Sequence, residues 1–238
     1  MRTNLMSLAA ALGCLLAAGL AHAHVGLTTN GPYANATVEA SFNVGHGCED
    51  KYDTYSVKIR IPSGVTSVRV VDNGSFASAV VERNAANEVT AVTYTKALSA
   101  VRANDEAYYK LLLRFRLPNT PFATLYFPTT QVCKTPDGNT TVTTEWVGTA
   151  EQAASDAGDA PEPAPALTVL PTRTPGWNKY TAGSTKLKVD ALFKDALIVW
   201  ADKAAYSANP NTAAQIKAED GVETLETIEP GTEFWVKY

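Results

Sequence analysis

The 238 residues (25.3 kDa) are 45% hydrophobic and 18% charged with 15 Gly and 13 Pro, which excludes a collagenous, coiled-coil or wholly disordered chain. Twenty Lys and Arg stand against 24 Asp and Glu, a formal charge of −4, with no basic block to neutralise a run of phosphates. Nucleic acid is therefore not an expected partner. At the N-terminus Arg2 precedes an apolar stretch from Leu5 to Leu20, and Ala21-His22-Ala23 supplies the small residues that signal peptidase reads. Residues 1–23 are read as a Sec-type signal peptide, and a periplasmic or secreted protein is expected. Cleavage after Ala23 removes Arg2, leaves 19 basic and 24 acidic residues, and makes His24 the first residue.

A terminal His offers its α-amine and its imidazole Nδ1 to one ion, closing a six-membered chelate from a single residue. Nitrogen pairs of this kind suit Cu(II), which tops the divalent affinity order. Cys14 leaves with the signal, so Cys48 and Cys133 remain. An even pair in an exported chain is most simply a disulfide, contributing on the order of 4 kcal/mol through the denatured state. Both Met fall in the signal and no Cys-x-x-Cys motif occurs, so thiolate Cu(I) ligation has little support.

From Val25 to about Gly148 short alternating segments are separated by turn residues. Strands are expected at Ala36 to Val44, Tyr55 to Ile61, Thr66 to Val71, Ser78 to Arg83, Glu88 to Thr95, Tyr108 to Leu117, Thr124 to Val132 and Thr140 to Val147. Their spacing predicts an antiparallel sandwich over 24–149, with Cys48 and Cys133 stapling sheet to sheet. Residues 150–166 are small, acidic and Pro-rich and read as an extended linker. Beyond it, 167–238 is expected to form a small α+β module, with a short helix at Ala213 to Lys217 and a terminal strand at Glu233 to Tyr238. Its aromatics, among them Trp177, Phe193, Trp200, Phe234 and Trp235, are read as a small core in preference to a recognition surface.

Five fragments in order carry a resemblance: His24-Val25, Gly47-Cys48-Glu49, Ile61-Pro62-Ser63-Gly64-Val65, the run Leu125 to Cys133, and Glu145-Trp146-Val-Gly. Together they resemble the YcnI-like bacterial copper-binding proteins. That resemblance implies an immunoglobulin-like sandwich holding Cu(II) in a monohistidine brace. It implies His24 as the bidentate nitrogen ligand, Glu49 as the carboxylate, and Trp146 as the indole near the metal. Asp50 and Asp53 are alternatives to Glu49, and Trp146 is equally a sandwich-core Trp leaning on the disulfide. The Bacillus type of the family carries a C-terminal transmembrane anchor; here an extra module is read instead, and no anchor is expected in the mature chain.

His46 is the other His of the mature chain and a further candidate ligand, which would make the site a three-nitrogen centre. The leading expectation is a non-catalytic Cu(II) chaperone, carrier or buffer of copper homeostasis, exchanging the ion with periplasmic or inner-membrane copper-transport proteins. The alternatives are a histidine-brace copper oxygenase acting on polysaccharide, built on His24 and His46, and a metal-free adhesion or scaffold sandwich in which Trp146, Trp177, Trp200 and Trp235 are core or glycan-stacking residues. No nucleophile elbow, phosphate loop or zinc motif occurs, so hydrolase and nucleotide chemistry rank below these.

Overall fold

A computed structural model describes residues 25–49, 51–72, 74, 76, 78–149 and 161–238. Residues 1–23, read above as a signal peptide, His24 and Asp50 lie outside the described residues. The first part of the chain contributes β1 (Gly26–Thr29), β2 (Thr37–Val44), β3 (Asp53–Arg60), β4 (Thr66–Val70), β5 (Ser78–Arg83), β6 (Val89–Thr95), β7 (Tyr109–Arg116), β8 (Thr124–Tyr126), β9 (Thr129–Lys134), β10 (Thr141–Gly148), β11 (Glu162–Pro163) and β12 (Ala166–Thr168). Two sheets result, ordered β1-β2-β7-β4 and β11-β10-β9-β3-β6-β5, with β12 and β8 as a separate pair. Apart from β11, which runs parallel to β10, every neighbouring pair in the two sheets is antiparallel.

The period of two explains the sandwich. Val38, Ala40, Phe42 and Val44 of β2 point inward, as do Leu111, Leu113 and Phe115 of β7 and Val57 and Ile59 of β3. Phe127 closes the middle of this core, its ring 5.4 Å from that of Phe42 and 5.5 Å from that of Phe115.

Two expectations are corrected by the structure. The strand expected over Thr124 to Val132 is broken at Pro128, which has no N–H for a ladder, so β8 departs to pair with β12 while β9 stays in the large sheet. The linker expected over 150–166 is sandwich structure from Pro161 on. Ala164 N–H donates to Gly148 O at 2.8 Å and Phe127 N–H to Pro165 O at 2.8 Å. Leu167 and Val169 are buried in the sandwich core. Its prolines lack donors but keep their carbonyls, and the neighbouring strands use those as acceptors.

The rest of the chain adds β13 (Trp177–Thr181), β14 (Leu187–Lys188), α1 (Val189–Leu192), β15 (Ile198–Ala201), β16 (Ala204–Tyr206), α2 (Pro210–Ala218), β17 (Glu223–Thr224), β18 (Thr227–Ile228) and β19 (Glu233–Lys237). One sheet is ordered β13-β19-β15-β16-β17, and β14 pairs with β18. α2 begins three residues before the expected Ala213: the Asn209 side chain accepts from the N–H groups of Asn211 and Thr212, and Pro210 takes the first helical position.

The core of this module is completed by a residue from the sandwich. Phe122, 1% exposed and at φ +67°, packs 5.5 Å from Phe234, 5.8 Å from Tyr180 and 6.0 Å from Phe193. Arg173 reinforces the junction, lying over the rings of Tyr33 at 5.3 Å and Tyr238 at 4.9 Å.

Candidate functional site

One end of the sandwich gathers most of the chemistry-bearing residues. β2 runs out at Val44, and the crossover to β3 carries Gly45-His46-Gly47-Cys48-Glu49. Gly47 is obligatory: a Cβ there would stand 1.7 Å from Tyr52 O. The close approach lets Cys48 and Tyr52 exchange backbone hydrogen bonds, both 3.1 Å, in a tight turn. Glu49 sits at the tip of that turn, exposed, with φ +56°. Cys48 bonds to Cys133 of β9 with Cα atoms 5.8 Å apart, so the disulfide ties the crossover between the two sheets to the larger one.

His46 is held on both sides. Its Nδ1–H donates to Gly47 O at 2.6 Å, and its own carbonyl accepts from Gln131 Nε2 at 2.9 Å. Gln131 is buried and also donates to Thr54 Oγ1 at 2.9 Å. With the proton on Nδ1, the lone pair of the neutral ring is on Nε2, the atom a metal would use. Beside this loop Asp105 Oδ1 is buried without a hydrogen-bond partner among the described residues and faces Gly47. A buried acceptor in this condition is costly and is a position where a cation is favoured.

The expected site residues are not all brought together. His46 and Glu49 flank the disulfide on one loop. Trp146 is 4% exposed and belongs to the sandwich core together with Val25. Its partner on β9 is Thr129, whereas Cys133 pairs with Val142, so four register steps, roughly 13 Å along the strand, separate it from the disulfide. It is a core Trp that does not lean on the bridge.

Asp53, an alternative carboxylate ligand, is already engaged. Its Oδ2 accepts from Lys96 Nζ at 2.6 Å and Arg102 N–H at 2.7 Å, and its Oδ1 from the Tyr109 hydroxyl at 2.7 Å. Lys96 Nζ also lies 2.8 Å from the Tyr109 oxygen and 4.5 Å from the centre of its ring. Asp53 and Lys96 are both buried, and Phe76 packs edge-on against Tyr109 at 5.2 Å. Among the described residues no three of His, Cys, Asp and Glu cluster closely enough to hold a metal by themselves.

Burial sets the titration of this end. It pushes the Lys96 ammonium below its usual range, with Asp53 pulling the other way, and pushes the Tyr94 and Tyr109 phenols well above theirs. The Tyr94 hydroxyl donates to Leu112 O at 2.6 Å, a bond that a phenolate cannot make. In the unfolded chain Tyr ionises near pH 10, so between that pH and the raised folded value the folded state holds protons that the unfolded state has lost. Stability present below pH 10 is then lost as pH rises. Lys96 has the opposite sign, its contribution growing as pH climbs toward 10.5 and levelling off above it. Urea unfolding at pH 9 and 11 should therefore show a net loss, with Tyr94 supplying about 1 kcal/mol per pH unit above pH 10. Tyr94→Phe should flatten the slope by that amount, and an unchanged slope would refute the assignment.

Asp105, Gln131, Lys96 and Tyr109 were not legible as site residues in the sequence, and Asp53, read there as an alternative metal ligand, is instead the buried partner of Lys96 and Tyr109. Asp105 lies in the polar run Asn104-Asp105-Glu106 and carries no local signal, since only the fold turns it toward Gly47.

The two sheets, their order and the crossover define an antiparallel β-sandwich of immunoglobulin type. A crystal structure of an uncharacterized protein from Nocardia farcinica with an immunoglobulin-like fold aligns at a TM-score of 0.50 and 23% identity, covering 62% of this chain and 98% of that one. The chain belongs to the family described as Domain of unknown function (DUF1775), which matches residues 24–169, a span that includes β11 and β12. The major pilin subunit of Bacillus cereus aligns at a TM-score of 0.36 and 11% identity over 67% of this chain and 43% of the pilin. The major pilin SpaA of Corynebacterium diphtheriae gives 0.30 and 14% over 74% and 43%. No curated protein matches the chain. Among the described residues no helix is long and apolar enough to cross a membrane.

Proposed function

We propose that the chain is an exported Cu(II)-binding protein of copper homeostasis that takes up its ion at a mature N-terminus beginning with His24, as a chaperone, carrier or buffer. The observation that carries this reading is the register of β1 on β2. Gly26 pairs with Asn43, and Val25 is buried at the start of β1, so the chain enters the sheet at the end where Val44 leads into Gly45 and His46. An amine and imidazole contributed by His24 would there join His46 Nε2 and one carboxylate, either Glu49 or Asp105, whose Oδ1 has no partner among the described residues. Two or three nitrogens with a hard oxygen suit Cu(II) over Cu(I) and leave positions open for exchange with a partner. The family match beginning at residue 24, the disulfide and the signal-like leader agree with processing and export.

The test is Cu(II) titration and electron paramagnetic resonance on protein beginning at His24, compared with protein carrying one extra N-terminal Met. The extra residue acylates the amine and should weaken binding about 100-fold or more and change the nitrogen hyperfine pattern. Equal affinity with an identical spectrum would defeat the reading. Asp105→Asn and Glu49→Gln, each on the His24 form, identify which carboxylate is used.

A further inference from the structure

The sheet of the C-terminal module has one face that its own core leaves over. Phe234 and Val236 of β19, Val199 of β15 and Phe122 fill the inner side. By the alternation of a strand, the outer side then carries Trp177 and Lys179 on β13, Glu233, Trp235 and Lys237 on β19, and Ile198 and Trp200 on β15. Trp177 is 51% and Trp235 44% exposed. Trp177, Ile198, Trp200 and Trp235 line a shallow depression of about 420 Å³ whose walls are entirely apolar. Three indoles on three neighbouring strands are an expensive arrangement to leave in water without a use.

These rings are held before any ligand arrives. Trp200 Nε1–H donates to Asp202 O at 2.8 Å. Lys179 pairs with Glu233 at 2.8 Å and stands 5.9 Å from the Trp235 ring, and Lys237 stands 5.9 Å from that of Trp177. Trp200 lies directly opposite Trp235, and Trp177 is diagonal to it, because the cross-strand partner of Trp235 on β13 is Lys179. The indoles therefore step across the sheet at roughly 5 to 8 Å, about one sugar ring per indole.

Size decides what fits. A stable protein interface needs about 800 Å² from each partner, and here two half-exposed indoles and the flanks of two more side chains are ringed at once by Lys179, Glu233 and Lys237. That is too little apolar area for a second copy of the chain. A pyranose has apolar C–H faces that cover an indole and hydroxyl edges that such a charged rim can bond. We propose that this face binds a β-1,4-linked polysaccharide, two or three sugar rings lying flat on Trp177, Trp235 and Trp200. The site stands independently of the copper reading, and its test needs no metal.

The test is electrophoresis of the full chain through native gels containing hydroxyethylcellulose or glycol chitin, with tryptophan fluorescence titrations of cellohexaose and chitohexaose. Retardation in at least one gel is expected, together with binding about tenfold weaker in Trp177→Ala and in Trp235→Ala. Both residues are half exposed, so the variants should melt as the parent does. Tyr108→Ala, exposed on the sandwich, should bind normally. No retardation in either gel, or retardation retained by the Trp177→Ala/Trp235→Ala double variant, overturns the proposal. So does a concentration-dependent dimer that Trp235→Ala abolishes, since the face would then seat a second copy.

Discussion

Lys96→Met is expected to cost about 3 to 5 kcal/mol of folding stability. The carboxylate of Asp53, fully buried, would keep the Tyr109 hydroxyl and the Arg102 N–H but lose its ammonium partner. Most of the loss is the penalty for an uncompensated charge in a low-dielectric site rather than the net worth of the pair. Replacing both partners should recover most of it, because an apolar pair of similar volume removes two desolvation costs together. The measurement is a cycle of urea-unfolding free energies for Lys96→Met, Asp53→Leu and the double variant. A single-variant loss below about 1 kcal/mol, the range of an exposed ion pair, would show that the cluster is wetter than its burial states.

Phe122→Ala is expected to cost a similar amount, about 3 to 5 kcal/mol, and to strike the C-terminal module first. The ring sits at the centre of that module's aromatic cluster but arrives from the sandwich, between Pro121 and β8. Removing it opens a cavity among Tyr180, Phe193 and Phe234 that backbone shifts can close only in part. Trp177, Trp200 and Trp235 belong to the module and Trp146 to the sandwich, so tryptophan emission during urea unfolding reports mainly the module. The expected result is a midpoint shifted to lower urea in emission, ahead of the change seen in β-sheet circular dichroism. Coincident transitions with a loss under 1 kcal/mol would mean that the module does not depend on this ring.

Much of the sandwich was readable because its strands bury one face, and period-two alternation is then written directly into residues such as Val38, Ala40, Phe42 and Val44. The Cys48–Cys133 pairing was readable from cysteine arithmetic alone. What escaped depended on partners distant in sequence. Residues 161–166 look like linker because their prolines and alanines have little to bury, and Leu167 to Val169 look like the start of the module, yet the backbone groups of the first and the aliphatic side chains of the second complete the sandwich. Asp53 reads as one more loop acid until Lys96 and Tyr109 are folded onto it. For Trp177, Trp200 and Trp235 the sequence leaves core and recognition surface both open, because composition cannot tell which face of a strand an indole occupies once Phe122, Phe193 and Phe234 have filled the inside.

The origin of Phe122 bears on the wider family. A shorter relative that stops after the sandwich has nothing to cover that ring, and an exposed Phe in a left-handed backbone conformation would be doubly disfavoured there. Gly or Asn would suit the bare position, and a large aromatic would suit the covered one. The amino acid found at this one place in a homologue should thus go with the presence or absence of the appended module.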